Sequence, residues 1–447
     1  MKLIILPTKE LHGEVTPPGS KSHTVRALFI ATLAKGTSHL YNILDAEDGR
    51  AAIEVCKGLG AKISAEKNRT GGLDVTVTSE GAPLDTMTTD LFSANSGITT
   101  TIAIPIIGLR TNTKIPLTLS SGEQMQKRPL HSIIHAVTTL GMKVEDFDKN
   151  DSCPLGISGN LEGGEATVDG SNSQYLSALL LSLPCAPKDS EVKVGNLQER
   201  PYVEMTLKWL DEEKIRYAHS KEANVETFKI FGNQQYTPFT KTIPGDFSSA
   251  SYLIAAAVLL PGKVTLHGLE MEDQQGDKSI VPILQKMGAD IKVEKAPNGG
   301  HILTITGGKP LTGTDIDCGD IPDLLPSLAV IGTRAKGKTI LSNAANARIK
   351  ETDRIKSMAT ELAKMGAKVE ETDSSLTIQE SKLHGAPLNG HSDHRTIMAL
   401  AIAGLLAGPD ASGKNETVIG TAEGINKTFP NFADVMKSLG ANIELSM

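Results

Sequence analysis

The chain has 447 residues, 39% of them hydrophobic, and a formal net charge of −7. That length suggests two or three domains with sizeable cores, and the acidic balance argues against nonspecific nucleic-acid binding, which needs a basic domain. The opening MKLIILPTKE has four consecutive strongly apolar residues before Pro7, too few for a secretion signal. The longest apolar runs, such as SYLIAAAVLLPG, reach about a dozen residues against the roughly 20 that span a bilayer. Cys56, Cys153, Cys185 and Cys318 are scattered without CxxC spacing, as in a reduced cytoplasmic protein rather than a disulfide scaffold or zinc site.

In chain order, SKSHTVRALFIATLAKG predicts a helix apolar on nearly every side, followed by the β-type run KGTSHLYNI. A second, amphipathic helix then ends at LGAKI, from Leu59. The pair recurs. NSGITTTIAIPIIGL is followed by a helix ending at LGMKV from Leu140, and SNSQYLSALLLSLP by one ending at EKIRY from Glu213. GDFSSASYLIAAAVLLPG leads to MGADI from Met287, IPDLLPSLAVIGTRAKG to MGAKV from Met365, and DHRTIMALAIAGLLAG to LGANI from Leu439. Five of the six terminators carry a glycine (Gly60, Gly141, Gly288, Gly366, Gly440), and Lys214 stands in the sixth. The unit is thus about 75 residues long and occurs six times, longer than solenoid repeats of roughly 20–50. Two helices and several strands per unit predict an α/β fold. A turn-rich crossover at Thr240 to Ser249 and another at TPPGSKS from Thr16 divide the six units into threes.

Basic and polar residues gather at the predicted helix starts: Lys21, Ser22 and Arg26; Arg128 in QMQKRPL; Ser173 and Gln174; Lys350 and Arg354; Arg395; and Lys427 in NKTFP. Helix N-termini with basic side chains make anion sites. In an acidic chain this concentration points to small, multiply charged acidic substrates, with arginine for bidentate grip on carboxylate or phosphate and lysine as a compact charge. Acid–base candidates are Asp323 in GDIPDLLPS, Glu351, Asp353 and Asp393, although aspartate also caps helices. Other chemistries lack support. His131 and His135 have i, i+4 spacing without the HExxH glutamate, His391 and His394 lack a third ligand even with Asp393, and no GxxxxGK[ST], strand-linked GxGxxG or GxSxG is present. No metal or cofactor is expected.

ARIKETDRI, Ala347 to Ile355, is the densest charge run. Asp353 suits the start of the helix that continues through Ile355, Met358, Ala359, Leu362 and Met365, but Arg354 in the first turn opposes the helix dipole. Locally that arginine gains nothing: the run is either a solvated charged turn or an arrangement that an anion completes.

Together, PGSKSHTVRAL, NSGITT, KRPL, NSQYLSALL, RPYVEMT, GDFSSASYLIAAA, QQGD, IPDLLPSLAV, NARIKETDRI, DHRTIMAL and NKTFPNF resemble, in order and over nearly the whole chain, the 5-enolpyruvylshikimate-3-phosphate synthase family. The resemblance implies the two-lobed enolpyruvyl transferase fold, an inverse α/β barrel with six βαβαββ repeats, three per lobe, and the active site in the cleft between the lobes. It implies further that residues 18–242 would form one lobe on the shikimate-phosphate side, and 1–17 with 243–447 a discontinuous lobe carrying the catalytic Asp and Glu. It also implies transfer of the enolpyruvyl group of phosphoenolpyruvate to shikimate 3-phosphate in aromatic amino-acid biosynthesis, by a cytoplasmic, cofactor-free monomer. Lys21, Ser22, Arg26, Ser173, Gln174, Tyr202, Asp323, Asn346 and Lys350 look like the shikimate-phosphate site. Lys21, Gly97, Arg128, Gln174, Arg354, Arg395 and Lys427 look like the phosphoenolpyruvate site. Asp323, Glu351 and Lys21 would be catalytic, Asp323 taking the attacking hydroxyl's proton and Glu351 protonating the methylene carbon.

Three departures accompany the resemblance. Thr101 stands where the family has an arginine, with Ile98 and Ile102 beside it, and Asn172 replaces the first of a serine pair. Glu199 replaces the serine before RPY; a carboxylate repels a bound phosphate, so its side chain should turn away or the loop should differ. Gly97 leaves room for glyphosate, while Ile98 and Ile102 should weaken its grip. Of the alternatives, the UDP-N-acetylglucosamine enolpyruvyl transferase typically carries a cysteine where this chain reads SGEQMQKRPL, and lacks KETDR. RNA 3'-phosphate cyclase needs a nucleotide and a nucleophilic histidine. A non-catalytic anion-binding relative would gain nothing from Asp323 and Glu351.

Overall fold

A computed structural model describes residues 1–297 and 299–446. Twelve α-helices occur among them: α1 Lys21–Leu33, α2 Glu47–Gly58, α3 Gly97–Ile107, α4 His131–Thr139, α5 Ser173–Ser182, α6 Arg200–Glu212, α7 Phe247–Leu259, α8 Ile280–Met287, α9 Leu325–Gly332, α10 Arg354–Lys364, α11 His394–Leu405 and α12 Phe432–Ser438. They fall into two kinds. The odd-numbered helices are apolar all round and buried; every residue of α3, α7, α9 and α11 is inside. The even-numbered helices bury one stripe and leave the other face polar, as their apolar spacing requires.

The amphipathic helices all leave through one left-handed residue: Gly60, Gly141, Gly288, Gly366 and Gly440 at φ 103, 106, 110, 87 and 101°, and Lys214 at φ 58°. Glycine enters that region without a Cβ clash. Lys214 shows that the geometry belongs to the turn even where the sequence lacks its preferred residue.

Two compact units separate, residues 19–243 and residues 1–18 with 244–447, each with its own apolar core. Each contains three four-stranded sheets, and all six share one pattern: a short edge strand pairs parallel with its neighbour, and the remaining pairs are antiparallel. In the 19–243 unit, Thr240–Thr242 forms the parallel edge against Lys35–Ile43, so the end of the segment closes onto its beginning. In the other unit, Lys2–Ile5 lies between Thr417–Gly420 and Ile443–Ser446, and Leu11–Val15 pairs parallel with Gly262–Leu269. Those ladders explain why the first residues belong with the last two hundred. No described helix is long and apolar enough to cross a membrane.

Within the 1–18/244–447 unit, α7, α9 and α11 pack on one another. Within the 19–243 unit, α3 packs against α1 and α5. Helices buried on every side can offer polar chemistry only at their ends; Lys21, Gly97, Ser173 and Arg395 stand in the first turns of α1, α3, α5 and α11, while Asp323, Asn346, Lys350 and Lys427 lie in turns between elements.

Candidate active site

In the 1–18/244–447 unit, the charged run forms a 3-10 turn, Ala345–Ile349, and then the start of α10. Asp353 caps α10, accepting from the Lys356 N–H at 3.0 Å, and pairs with Arg348 at 2.6 Å. Arg354, the first helical residue, is 1% exposed and donates to three carboxylates: Glu351 Oε2 at 2.5 Å, Asp323 Oδ1 at 2.6 Å and Asp393 Oδ2 at 2.8 Å. The residue that the dipole disfavours is thus held by side chains brought from 31 and 39 positions away. The dipole cost is offset by Glu351 just before the helix and by Asp323 and Asp393 through tertiary contacts. Burial alone would lower its proton affinity, but the fields of Asp393, Glu351 and Asp323 more than reverse this and hold the guanidinium above its ordinary value.

The cluster extends further. Arg395 donates to Asp323 Oδ2 at 2.8 Å, and Lys427 lies 3.4 Å from Glu351 Oε1. Asp323, in the 3-10 turn Pro322–Leu324, directs its carboxylate to two arginines rather than capping α9. Asp393, fully buried, caps α11 through the Arg395 N–H at 2.8 Å and anchors Arg354; this assigns it a structural place among the acid–base candidates. Asn346 is buried in a turn packed against Pro322–Leu324, and Lys350 is half-buried at its end. Asp277, which the sequence reading quoted in QQGD without singling out, lies alongside. Its carboxyl accepts from Ser248 at 2.5 Å, and burial, reinforced by Asp323 and Asp246 and opposed by Arg395 and Ser248, pushes it up to about 7.

In the 19–243 unit, helix ends again converge. Lys21, first in α1, lies 3.2 Å from buried Asp48 of α2. Arg26 is buried and donates to Thr206 Oγ1 (2.8 Å), the Ser22 carbonyl (2.9 Å), Ser177 Oγ (3.2 Å) and the Tyr202 carbonyl (2.9 Å), tying α1 to α5 and α6. Burial pulls its guanidinium down to about 10, against the raising influence of Tyr202. Asn172 caps α5 by accepting from the Gln174 N–H at 3.0 Å. Thr101 points its hydroxyl at Gln174 Oε1, 3.5 Å away, where the family pattern has a cation. Tyr175 donates to the Pro129 carbonyl at 2.9 Å, fixing the loop that bears half-buried Arg128, and a Cβ on Gly97 would come within 2.5 Å of Arg128 Nη1.

Glu199 is 2% exposed, left-handed at φ 51°, and accepts from Ser173 Oγ at 2.8 Å and from the Ser173 N–H at 3.4 Å. The Ser173 hydroxyl and the positive end of α5 supply the attraction that holds the carboxylate there.

Each unit thus carries its own cluster of cations and carboxylates at helix starts and turns. The family model for EPSP synthase (3-phosphoshikimate 1-carboxyvinyltransferase) matches residues 5–436. The chain belongs to the EPSP synthase family. It is 42% identical to the 3-phosphoshikimate 1-carboxyvinyltransferase of Acetivibrio thermocellus, covering 96% of each chain, and 42% identical to that of Ruminiclostridium cellulolyticum, covering 98% of each. The Methanocaldococcus jannaschii 3-phosphoshikimate 1-carboxyvinyltransferase is 38% identical over 99% of each chain. A solved structure of EPSP synthase from Acinetobacter baumannii superposes with a TM-score of 0.82 at 26% identity over the whole of both chains. As a member of the EPSP synthase family, the chain is an enzyme, a transferase.

Sequence reasoning missed Asp48, Asp277 and Tyr252, whose hydroxyl is buried within the fields of Arg395, Arg354, Asp393 and Asp323. The only signals were an acid in the first turn of α2 and the Asp of QQGD. Tyr252 had none, since it sits within an apolar helix.

Proposed function

We propose that the chain transfers the enolpyruvyl group of phosphoenolpyruvate to the 5-hydroxyl of shikimate 3-phosphate, releasing phosphate by addition and elimination through a tetrahedral intermediate. Family membership supports this reading, and the observation that carries its chemistry is the pair Asp323 and Glu351 held on Arg354, Arg395 and Lys427. In this reading Asp323 takes the proton of the attacking hydroxyl while Glu351, protonated beforehand, delivers one to the methylene carbon. On elimination Glu351 takes a methyl proton back and phosphate departs. Arg128, Arg354, Arg395, Lys427 and Lys21 stabilise the charge on phosphoenolpyruvate and the leaving phosphate, and Gly97 and Gln174 are assigned to the same substrate. Ser22, Arg26, Ser173, Gln174, Tyr202, Asn346 and Lys350, with Lys21 and Asp323, hold shikimate 3-phosphate.

The cations that serve phosphoenolpyruvate already hold the two acid–base carboxylates.

The six four-stranded sheets, each with one parallel edge, support a count of six βαβαββ units, three in residues 18–242 and three in 1–17 with 243–447, in an inverse α/β barrel arrangement. The same reading makes the chain a cytoplasmic monomer with two small-molecule partners; four unpaired cysteines support the compartment. Phosphate release with phosphoenolpyruvate plus shikimate 3-phosphate tests it. Release with UDP-N-acetylglucosamine instead would assign the chain to the related transferase, and release with neither would leave an anion-binding protein.

A further inference from the structure

Glu199 carries a consequence for substrate recognition that follows from counting protons. A serine hydroxyl has one proton to donate, and that of Ser173 goes to Glu199 Oε2 at 2.8 Å. The Ser173 N–H, at the start of α5, leans on the same oxygen at 3.4 Å. The carboxylate is 98% buried, so its place is built rather than incidental. The chain holds it there in a left-handed backbone, at φ 51°, that costs a side-chain-bearing residue energy. The turn is fixed on its far side: the Tyr202 N–H donates to the Glu199 carbonyl at 3.0 Å, and Arg200 pairs with buried Glu226. An anionic oxygen that Ser173 is to grip must therefore take both the proton and the place of the Glu199 carboxylate.

We propose that Glu199 is an internal stand-in for the substrate's phosphate, displaced when shikimate 3-phosphate binds, and so a determinant of affinity and specificity for that substrate. The proposal rests on the assignment of Ser173 to shikimate 3-phosphate. A phosphate monoester carries more negative charge than a carboxylate and can accept more hydrogen bonds, so it can win Ser173. Shikimate, lacking the phosphate, has no group to compete for Ser173. Glu199 therefore lowers the affinity for shikimate 3-phosphate below what a serine at the same position would allow.

The test uses the full chain with Glu199→Ser, Glu199→Gln and Ser173→Ala, measuring the Kd of shikimate 3-phosphate and of shikimate by calorimetry and the KM of both reaction substrates. Removing the competitor for one charge-assisted hydrogen bond should tighten shikimate 3-phosphate by about tenfold in Glu199→Ser. Shikimate binding and the KM for phosphoenolpyruvate should stay within about twofold. Glu199→Gln, uncharged but of equal size, should show a smaller gain. Unchanged or weaker binding of shikimate 3-phosphate by folded Glu199→Ser overturns the proposal; if that variant does not fold, absence of any gain in Glu199→Gln does so. Ser173→Ala separates this from the parent reading. If it leaves shikimate 3-phosphate binding unchanged, the assignment of Ser173 fails and the proposal with it. If it weakens that binding while Glu199→Ser shows no gain, only the stand-in role fails.

Discussion

Replacing Arg354 with methionine, similar in length and uncharged, removes the positive charge from three carboxylates at once, of which Asp393 is fully buried. Their fates differ. Asp323 keeps Arg395 at 2.8 Å and Glu351 keeps Lys427 at 3.4 Å. Asp393, 0% exposed, keeps the Arg395 backbone N–H. Stranding a buried charge costs about 3–5 kcal/mol, so we expect about 4 kcal/mol, most of it at Asp393. Against a total of roughly 5–15 kcal/mol for a domain, this is a large fraction. At a urea slope of about 2 kcal/mol per molar, the transition of the 1–18/244–447 unit should move down by about 2 M. Far-UV circular dichroism follows it, and fluorescence of Trp209, the only tryptophan, reports the 19–243 unit. Adding Asp393→Asn removes the stranded charge and should return part of the loss, a non-additivity expected of groups in contact. A midpoint within about 0.5 M of wild type, or a double variant weaker than the sum of the two single changes, would refute the reasoning.

A methyl at Gly97 would meet the movable end of Arg128 at 2.5 Å. Gly97→Ala should therefore fold, displace that guanidinium and raise the KM for phosphoenolpyruvate by about tenfold, with the KM for shikimate 3-phosphate unchanged; steady-state kinetics checks both. Asp277, buried and raised to about 7, stabilises the fold while it holds its proton, and that contribution is lost as pH rises from the ordinary carboxylate range through about 7. Urea midpoints between about pH 5 and about pH 8 should consequently fall more steeply for wild type than for Asp277→Asn, whose amide stays neutral; parallel slopes would show that Asp277 does not titrate there.

The fold was legible where chemistry is local. Apolar runs without a polar face became the buried helices α7 and α11, and terminators ending in glycine became left-handed turns because glycine is favoured there. Even Lys214 could be placed, because its position was set by the spacing of its neighbours. The site was legible as a collection of helix starts, but its pairings were not. Arg354 announced itself by opposing the helix dipole, yet its partners Asp323 and Asp393 lie 31 and 39 residues away, distances that only tertiary packing closes. Asp393 read as an acid–base candidate, and only the Arg395 N–H and Arg354 contacts show its place as a cap and anchor. Glu199 could be weighed in the sequence only against a substrate; its partnership with Ser173, 26 residues earlier, appears only in the folded chain. Asp277 and Tyr252 act from beneath, at positions where burial rather than motif gives a polar group its importance.

The central claim is that Glu351 carries the proton to and from the methylene carbon. It is tested most directly by running the reaction in deuterated water and measuring deuterium in the methylene group of recovered phosphoenolpyruvate and of product by mass spectrometry. The account predicts incorporation by the wild-type enzyme and, in Glu351→Gln, retained binding of both substrates with incorporation and turnover reduced by at least about a hundredfold. Wild-type incorporation and turnover in Glu351→Gln would contradict it.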